Sequence, residues 1–170
     1  MLNKNLNLIL SLLILTIFIT ASPAAAENFE SPEEFTEYIY QNYSQQNFKK
    51  VYQNFAPELK RIFKEEDYLN FQKENFEKYN LEYTNIEVSE AKKIDYNQIK
   101  SKFNYADDFG EYYQLSVSYL LKFDHFGERE EKSGKKVYLR KIVDTFQVFW
   151  NPETVSNDQS AEVEVDQDGQ

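Results

Sequence analysis

Few residues in this chain have the type and spacing that chemistry needs. His125 is the single histidine, and with Asp124 beside it forms the one acid/base pair in view, at the end of a long β-patterned run. In that run Asp124 falls in phase with the polar positions Gln114, Ser116 and Ser118, whereas His125 falls in phase with the apolar ones. A carboxylate or imidazole drawn into an apolar pocket has its pKa shifted towards a proton-transfer role. Asp124 and His125 are therefore the catalytic candidates, weighed against an ordinary surface histidine. One histidine cannot build a His-based metal cluster, and the absence of cysteine removes disulfides, thiolate nucleophiles and Cys-ligated metals. No metal or cofactor is expected. Asn42-Tyr43-Ser44 matches a glycosylation acceptor, which a bacterial exporter would leave unused.

The second resource is aromatic. The chain has 14 Phe and 13 Tyr against only 4 Gly and 4 Pro, so its core is built from rings. Tyrosine joins a large apolar ring to a polar tip and suits both core rims and ligand-binding walls. Tyr38, Tyr43, Tyr52, Tyr113 and Tyr119 fall on faces expected to point inward. Their first role is packing, and if a cavity remains they would line it. A formal net charge of -10 argues against nucleic acid and anionic lipid as partners, since both require a basic surface.

The elements that must position these residues are legible from periodicity. Ser31-Pro32-Glu33-Glu34 places an N-cap Ser, a Pro at the first helical position and a Glu three residues after the cap, the pattern of a capping box. Phe35, Tyr38, Ile39 and Tyr43 then form one helical stripe, and Phe48, Val51, Tyr52 and Phe55 a second that Ala56-Pro57 ends. A third helical pattern runs from Glu65 to Tyr79. From Leu81 the period changes to two. Leu81-Glu82-Tyr83 is out of phase with Ile86-Glu87-Val88, which predicts a strand with a bulge near Asn85. Asp95 to Phe103 reads either as a short helix capped by Asp95 or as part of an excursion between strands. Tyr113, Leu115, Val117, Tyr119, Leu121 and Phe123 alternate with polar residues as a long strand. The charged run Glu128 to Gly134 reads as the loop that follows it. Val137 to Ile142 and Phe146 to Trp150 then make a hairpin with Phe146, Val148 and Trp150 on one face, and Asn151-Pro152 stops it.

Three segments follow. Residues 1–26 carry Lys4, an apolar run from Leu6 to Ile19 and Ala24-Ala25-Ala26, which predicts a secretory signal peptide cleaved between Ala26 and Glu27. The alternative is an uncleaved anchor, for which the apolar run is short. Residues 27–152 form one α+β domain, and 153–170, acidic without basic or aromatic residues, form a disordered tail. The mature protein is then secreted or extracytoplasmic, with no stable membrane anchor after cleavage.

The segments 34–83 and 112–155, ending in Phe146-x-Val148-x-Trp150-x-Pro152-x-x-Val155, resemble the nuclear transport factor 2-like superfamily. More narrowly, they resemble the non-catalytic N-terminal domain of low-affinity penicillin-binding proteins, where the final strand has Trp in place of Phe146. The resemblance implies amphipathic helices packed on a strongly curved antiparallel sheet, a cone. It also prompts a search for transpeptidase chemistry, a Ser and a Lys three residues apart on one helical face. Ser89-Glu90-Ala91-Lys92 and Ser133-Gly134-Lys135-Lys136 match, but neither the Ser-Asp-Asn nor the Lys-Thr-Gly partner motif occurs.

These readings point to an exported non-catalytic binding or scaffolding module of the bacterial cell envelope. The alternatives are a small-molecule acid/base enzyme of isomerase or dehydratase type on the same cone, and a structural or oligomerising secreted protein. Candidate partners are a cell-wall fragment, a small apolar ligand, an envelope protein or a second copy in a homodimer. The core or pocket-lining candidates are Phe35, Tyr38, Ile39, Tyr52, Phe55, Tyr113, Leu115, Val117, Tyr119, Phe146, Val148 and Trp150.

Overall fold

The structure, a computed structural model, describes residues 28–124 and 127–152. The expected signal peptide and its Ala26/Glu27 junction, His125, and the expected acidic tail at 153–170 lie outside the described residues. Helices come first: α1 (Pro32–Ser44), α2 (Phe48–Gln53), α3 (Pro57–Ile62) and α4 (Glu65–Tyr79). Strands β1 (Glu82–Val88) and β2 (Lys92–Ile94), helix α5 (Tyr96–Lys102), then β3 (Glu111–Asp124), β4 (Glu128–Ile142) and β5 (Thr145–Phe149) complete an α+β chain. The strands form one antiparallel five-stranded sheet in the order β1-β3-β4-β5, with β2 also on β3.

Local chemistry sets the boundaries. Ser31 Oγ accepts the Glu34 N–H at 3.1 Å and Pro32 opens α1, as expected. The reciprocal half of the capping box differs, because the Glu34 carboxylate accepts the N–H of Glu30 rather than that of Ser31. Pro57 does not merely end α2. It starts α3, a helix the sequence reading missed, with Glu58 and Leu59 buried. Asn80, left-handed at φ 47, closes α4. Asn85, at φ 51, sits in the irregularity between Thr84 and Glu87, where the bulge was expected.

Two expectations need correction. Glu128 to Gly134 is not a loop: β4 pairs with β3 continuously from Glu128↔Asp124 to Lys141↔Glu111. Backbone pairing holds this ribbon, so its side chains are free to be charged, and charge alone misleads as a loop signal. In α1, Tyr40 is buried at 6% exposure while Tyr38 is half-buried against Phe29. The apolar stripe is therefore wider than the one expected.

The inner sheet face carries Leu115, Val117, Val137, Leu139, Phe146 and Val148 against the helices. The ring of Phe35 stacks on Phe146 at 5.5 Å. Backbone bonds Ala56 N–H to Val148 O (3.1 Å) and Val148 N–H to Asn54 O (2.9 Å) tie the α2–α3 turn to β5. The outer face is covered too, and only at one end. There α5, capped by the Asp95–Gln98 box, and the segment after it lay Ile99, Phe103 and Ala106 on Tyr112, Tyr138 and Phe149. This is why Val137, Tyr138, Leu139 and Arg140 are consecutively buried, whereas a half-exposed strand would alternate. Among the described residues no helix is long and apolar enough to cross a membrane.

Candidate functional site

Between the helices and the inner face lies a cavity of about 420 Å³, within the range of about 300 to 1,000 Å³ typical of small-molecule sites. α1 supplies Ile39, Tyr40 and Tyr43, α4 supplies Tyr68 and Phe71, the sheet supplies Tyr83 and Val148, and Trp150 follows directly after β5. The rings interlock edge to face: Tyr43 lies 5.2 Å from Tyr83 and 5.3 Å from Phe76. Trp150 packs on Phe63 at 5.5 Å and Tyr68 at 5.6 Å.

One cation enters this aromatic space. Lys135 lies two residues before Val137 on β4, so its side chain shares the inner face. Its Nζ sits 5.5 Å from the ring centroids of both Tyr40 and Tyr43. Among the described residues no carboxylate pairs with it. Lys135 as a residue is exposed, yet protein crowds its ammonium. That burial pulls its pKa from the ordinary 10.5 down to about 8. The charged residues on the cavity wall are Lys135 and Lys136, both cationic, in a chain of net charge -10.

The phenols around it stay protonated. Burial, with further contributions from neighbouring tyrosines, raises Tyr40 and Tyr43 well above 10.0, and burial pushes Tyr83 up to about 12. Tyr43 donates its hydroxyl to Gln72 Oε1 at 2.8 Å. The wall thus offers apolar rings, neutral hydroxyls and amides, and an ammonium with no carboxylate partner among the described residues.

A buried polar cluster on the outer face holds one end of the cavity's sheet wall. Arg140, fully buried, grips both carboxylate oxygens of Glu58 from α3, with Nη2 to Oε2 at 2.8 Å. It also donates from Nε and Nη2 to Gln147 Oε1 at 3.1 and 2.7 Å, and its guanidinium lies 3.9 Å from the Phe109 ring centroid. Burial raises the Glu58 pKa, but the Arg140 hydrogen bonds and charge outweigh it and hold the carboxyl below its ordinary value. Nearby, the Tyr105 hydroxyl donates to Trp150 O at 2.6 Å and accepts the Trp150 N–H at 3.2 Å. These two hydrogen bonds fix the backbone from which Trp150 lines the cavity.

Of the pocket-lining candidates, Ile39, Phe55, Val148 and Trp150 do line the cavity. Phe35, Tyr52, Leu115, Val117, Tyr119 and Phe146 are buried in the core beside it. Tyr38 and Tyr113 are half-buried, the latter with its hydroxyl on Glu111 at 2.8 Å. Asp124 is exposed at the β3–β4 turn, accepting the Gly127 N–H at 3.2 Å, and does not line the cavity. Neither Ser-x-x-Lys pair lies on a helix. Ser133 and Lys136 sit in a strand, where residues three apart face opposite sides, and Ser89 bonds Ser116 N–H at 2.8 Å across the sheet. Lys135, Tyr40 and Tyr68 were missed as site residues. Extending the alternation of Val137 and Leu139 back by two residues would have found Lys135.

No protein-family model matches the chain, and no curated protein does either. Among solved structures, the solution structure of a SEC-C motif containing protein from Rhodopseudomonas palustris is similar at a TM-score of 0.43 and 14% identity, covering 71% of this chain and 76% of that one.

Proposed function

We propose that this protein is an exported, non-catalytic binding module of the cell envelope that takes a small, largely apolar ligand between its helices and its sheet. The observation that carries the reading is the aromatic cavity of about 420 Å³. Among the described residues its wall holds no carboxylate, which favours binding over acid/base catalysis. The helices-then-sheet order and the cavity on the inner face support a nuclear transport factor 2-like cone resembling the accessory domain of low-affinity penicillin-binding proteins. Export rests on the residues 1–26 pattern, and intact mass spectrometry of exported material should find Glu27 as the first residue.

Ligands that bind only the folded state raise its melting temperature. A thermal-shift screen of 1-decanol, decanoate, decylamine and muropeptide fragments tests the reading. Stabilisation by at least one apolar probe is expected, and no shift with any of them would overturn it.

A further inference from the structure

We propose that the cavity's ligand is an amphipathic anion, an apolar body with one acidic group such as a carboxylate, and that Lys135 is the residue that pairs with that group. The inference rests on the binding reading above and names its ligand class. Three observations converge on it. The ammonium of Lys135 stands within the aromatic space, 5.5 Å from the centroids of Tyr40 and Tyr43, without a carboxylate partner among the described residues. Lys135 is exposed as a residue, but its ammonium faces the rings of the cavity wall and not a protein carboxylate, so a ligand seated on those rings can supply the opposite charge.

Second, both charged residues that border the cavity, Lys135 and Lys136, are basic, with Lys135 on the inner face of β4, although acidic residues outnumber basic ones 29 to 19 in the chain. The local field therefore opposes that of the whole molecule, repelling cationic ligands and drawing an anion inward. Third, the rest of the wall suits an apolar body. Phe55, Tyr68, Phe71, Val148 and Trp150 surround the space beyond the ammonium, and Tyr40, Tyr43 and Tyr83 remain neutral hydroxyl-bearing rings. One end of a ligand meets a charge and the other meets rings.

The two rings that flank the ammonium also position it. Their π faces favour a cation, so they hold Nζ inside the cavity where a flexible lysine on a strand would otherwise extend into water. A carboxylate approaching Nζ gains a charge-assisted hydrogen bond in a medium less polar than water.

The test is a calorimetric titration of the full chain with three probes of one tail and different heads: decanoate, 1-decanol and decylamine. Decanoate should bind roughly tenfold or more tightly than decanol, the difference a charge-assisted hydrogen bond gives, and decylamine should bind weakest. Lys135→Met should bring decanoate down to the affinity of decanol while leaving decanol unchanged, and Lys135→Arg should retain most of the preference. Equal affinity for decanoate and decanol in the unaltered protein overturns the inference whatever the variants do. So does a decanoate preference that survives Lys135→Met. If decanol binds and decanoate gains nothing, the binding reading stands and the ligand class falls. If none of the three binds, both fall together.

Discussion

Glu58 and Arg140, 82 residues apart in the chain, meet as a two-pronged ion pair with 2% and 0% of their side chains exposed. The pair joins α3 to β4, and Gln147 extends it to β5. Breaking a buried pair strands the remaining charge, which costs about 3 to 5 kcal/mol, whereas replacing both partners with apolar groups can be nearly neutral. Glu58→Gln should therefore destabilise the protein strongly in urea unfolding, and Arg140→Met combined with Glu58→Met should recover much of the loss. A mild effect of Glu58→Gln alone would mean that the pair is not desolvated.

The same pair makes stability fall in acid. The folded-state pKa of Glu58 is depressed, so the unfolded chain binds more protons at this site as pH falls, and the contribution is lost as pH drops through the folded value. Unfolding free energy measured from neutral pH downward should decline less steeply in Glu58→Gln than in the unaltered protein.

Lys135 gives a slope of the same sign at the alkaline end, from a different cause, the burial of an ammonium. Its folded pKa of about 8 lies below the ordinary 10.5, so between these values the unfolded chain holds the extra proton and stability rises with pH. Decanoate binding, which needs the ammonium, should weaken as pH rises through about 8. Tyr40 and Tyr43 from α1, Tyr68 from α4 and Tyr83 from β1 are all raised by burial and remain neutral there. The carboxylate probe stays ionised across the same range. Titrations at several pH values check this, and affinity flat across that range would contradict it.

Trp150 is half-buried, not sealed, and reports on the cavity it lines. Trp150→Ala should cost roughly 2 to 3 kcal/mol, less than the full core penalty of about 3 to 5 kcal/mol for large-to-small changes. Phe35→Ala, at 0% exposure and stacked on Phe146, should cost more. Denaturant midpoints rank the two, and the reverse order would misplace the core.

Val143 is a β-branched residue at φ 55 and 84% exposed, first of the two residues joining β4 to β5. Glycine adopts that conformation without Cβ strain. Val143→Gly should raise stability by roughly 0.5 to 1 kcal/mol. An unchanged or lowered melting temperature would show the turn is not strained there.

What the sequence made legible were features whose signals are local. The α4 limits followed from period and the bulge at Asn85 from a phase slip, while the hairpin around Val143 followed from flanking β-rich runs. The Phe35 and Ile39 stripe met Phe146 and Val148 as the α+β order implied. What stayed hidden depends on partners distant in the chain. Glu58 and Arg140 carry no local signal of burial, because only their meeting makes burial tolerable. The helix capped by Asp95 is one of the two readings of Asp95 to Phe103, and the structure has it; its packing on the outer face stayed hidden because its apolar residues bury against strands that come later. Lys135 went unnoticed just past the Glu128 to Gly134 run, whose strand character rests on pairing with β3.

An amphipathic anion is expected to enter the space between α1, α4 and the inner face of the sheet. An NMR titration of the uniformly labelled protein with decanoate follows this residue by residue. Saturable shifts should cluster on Tyr43, Phe71, Lys135 and the Trp150 indole N–H, with Ser116, Gly134 and Asp124 unmoved. Shifts confined to the outer face, or none at the cavity up to the solubility limit of decanoate, would contradict it.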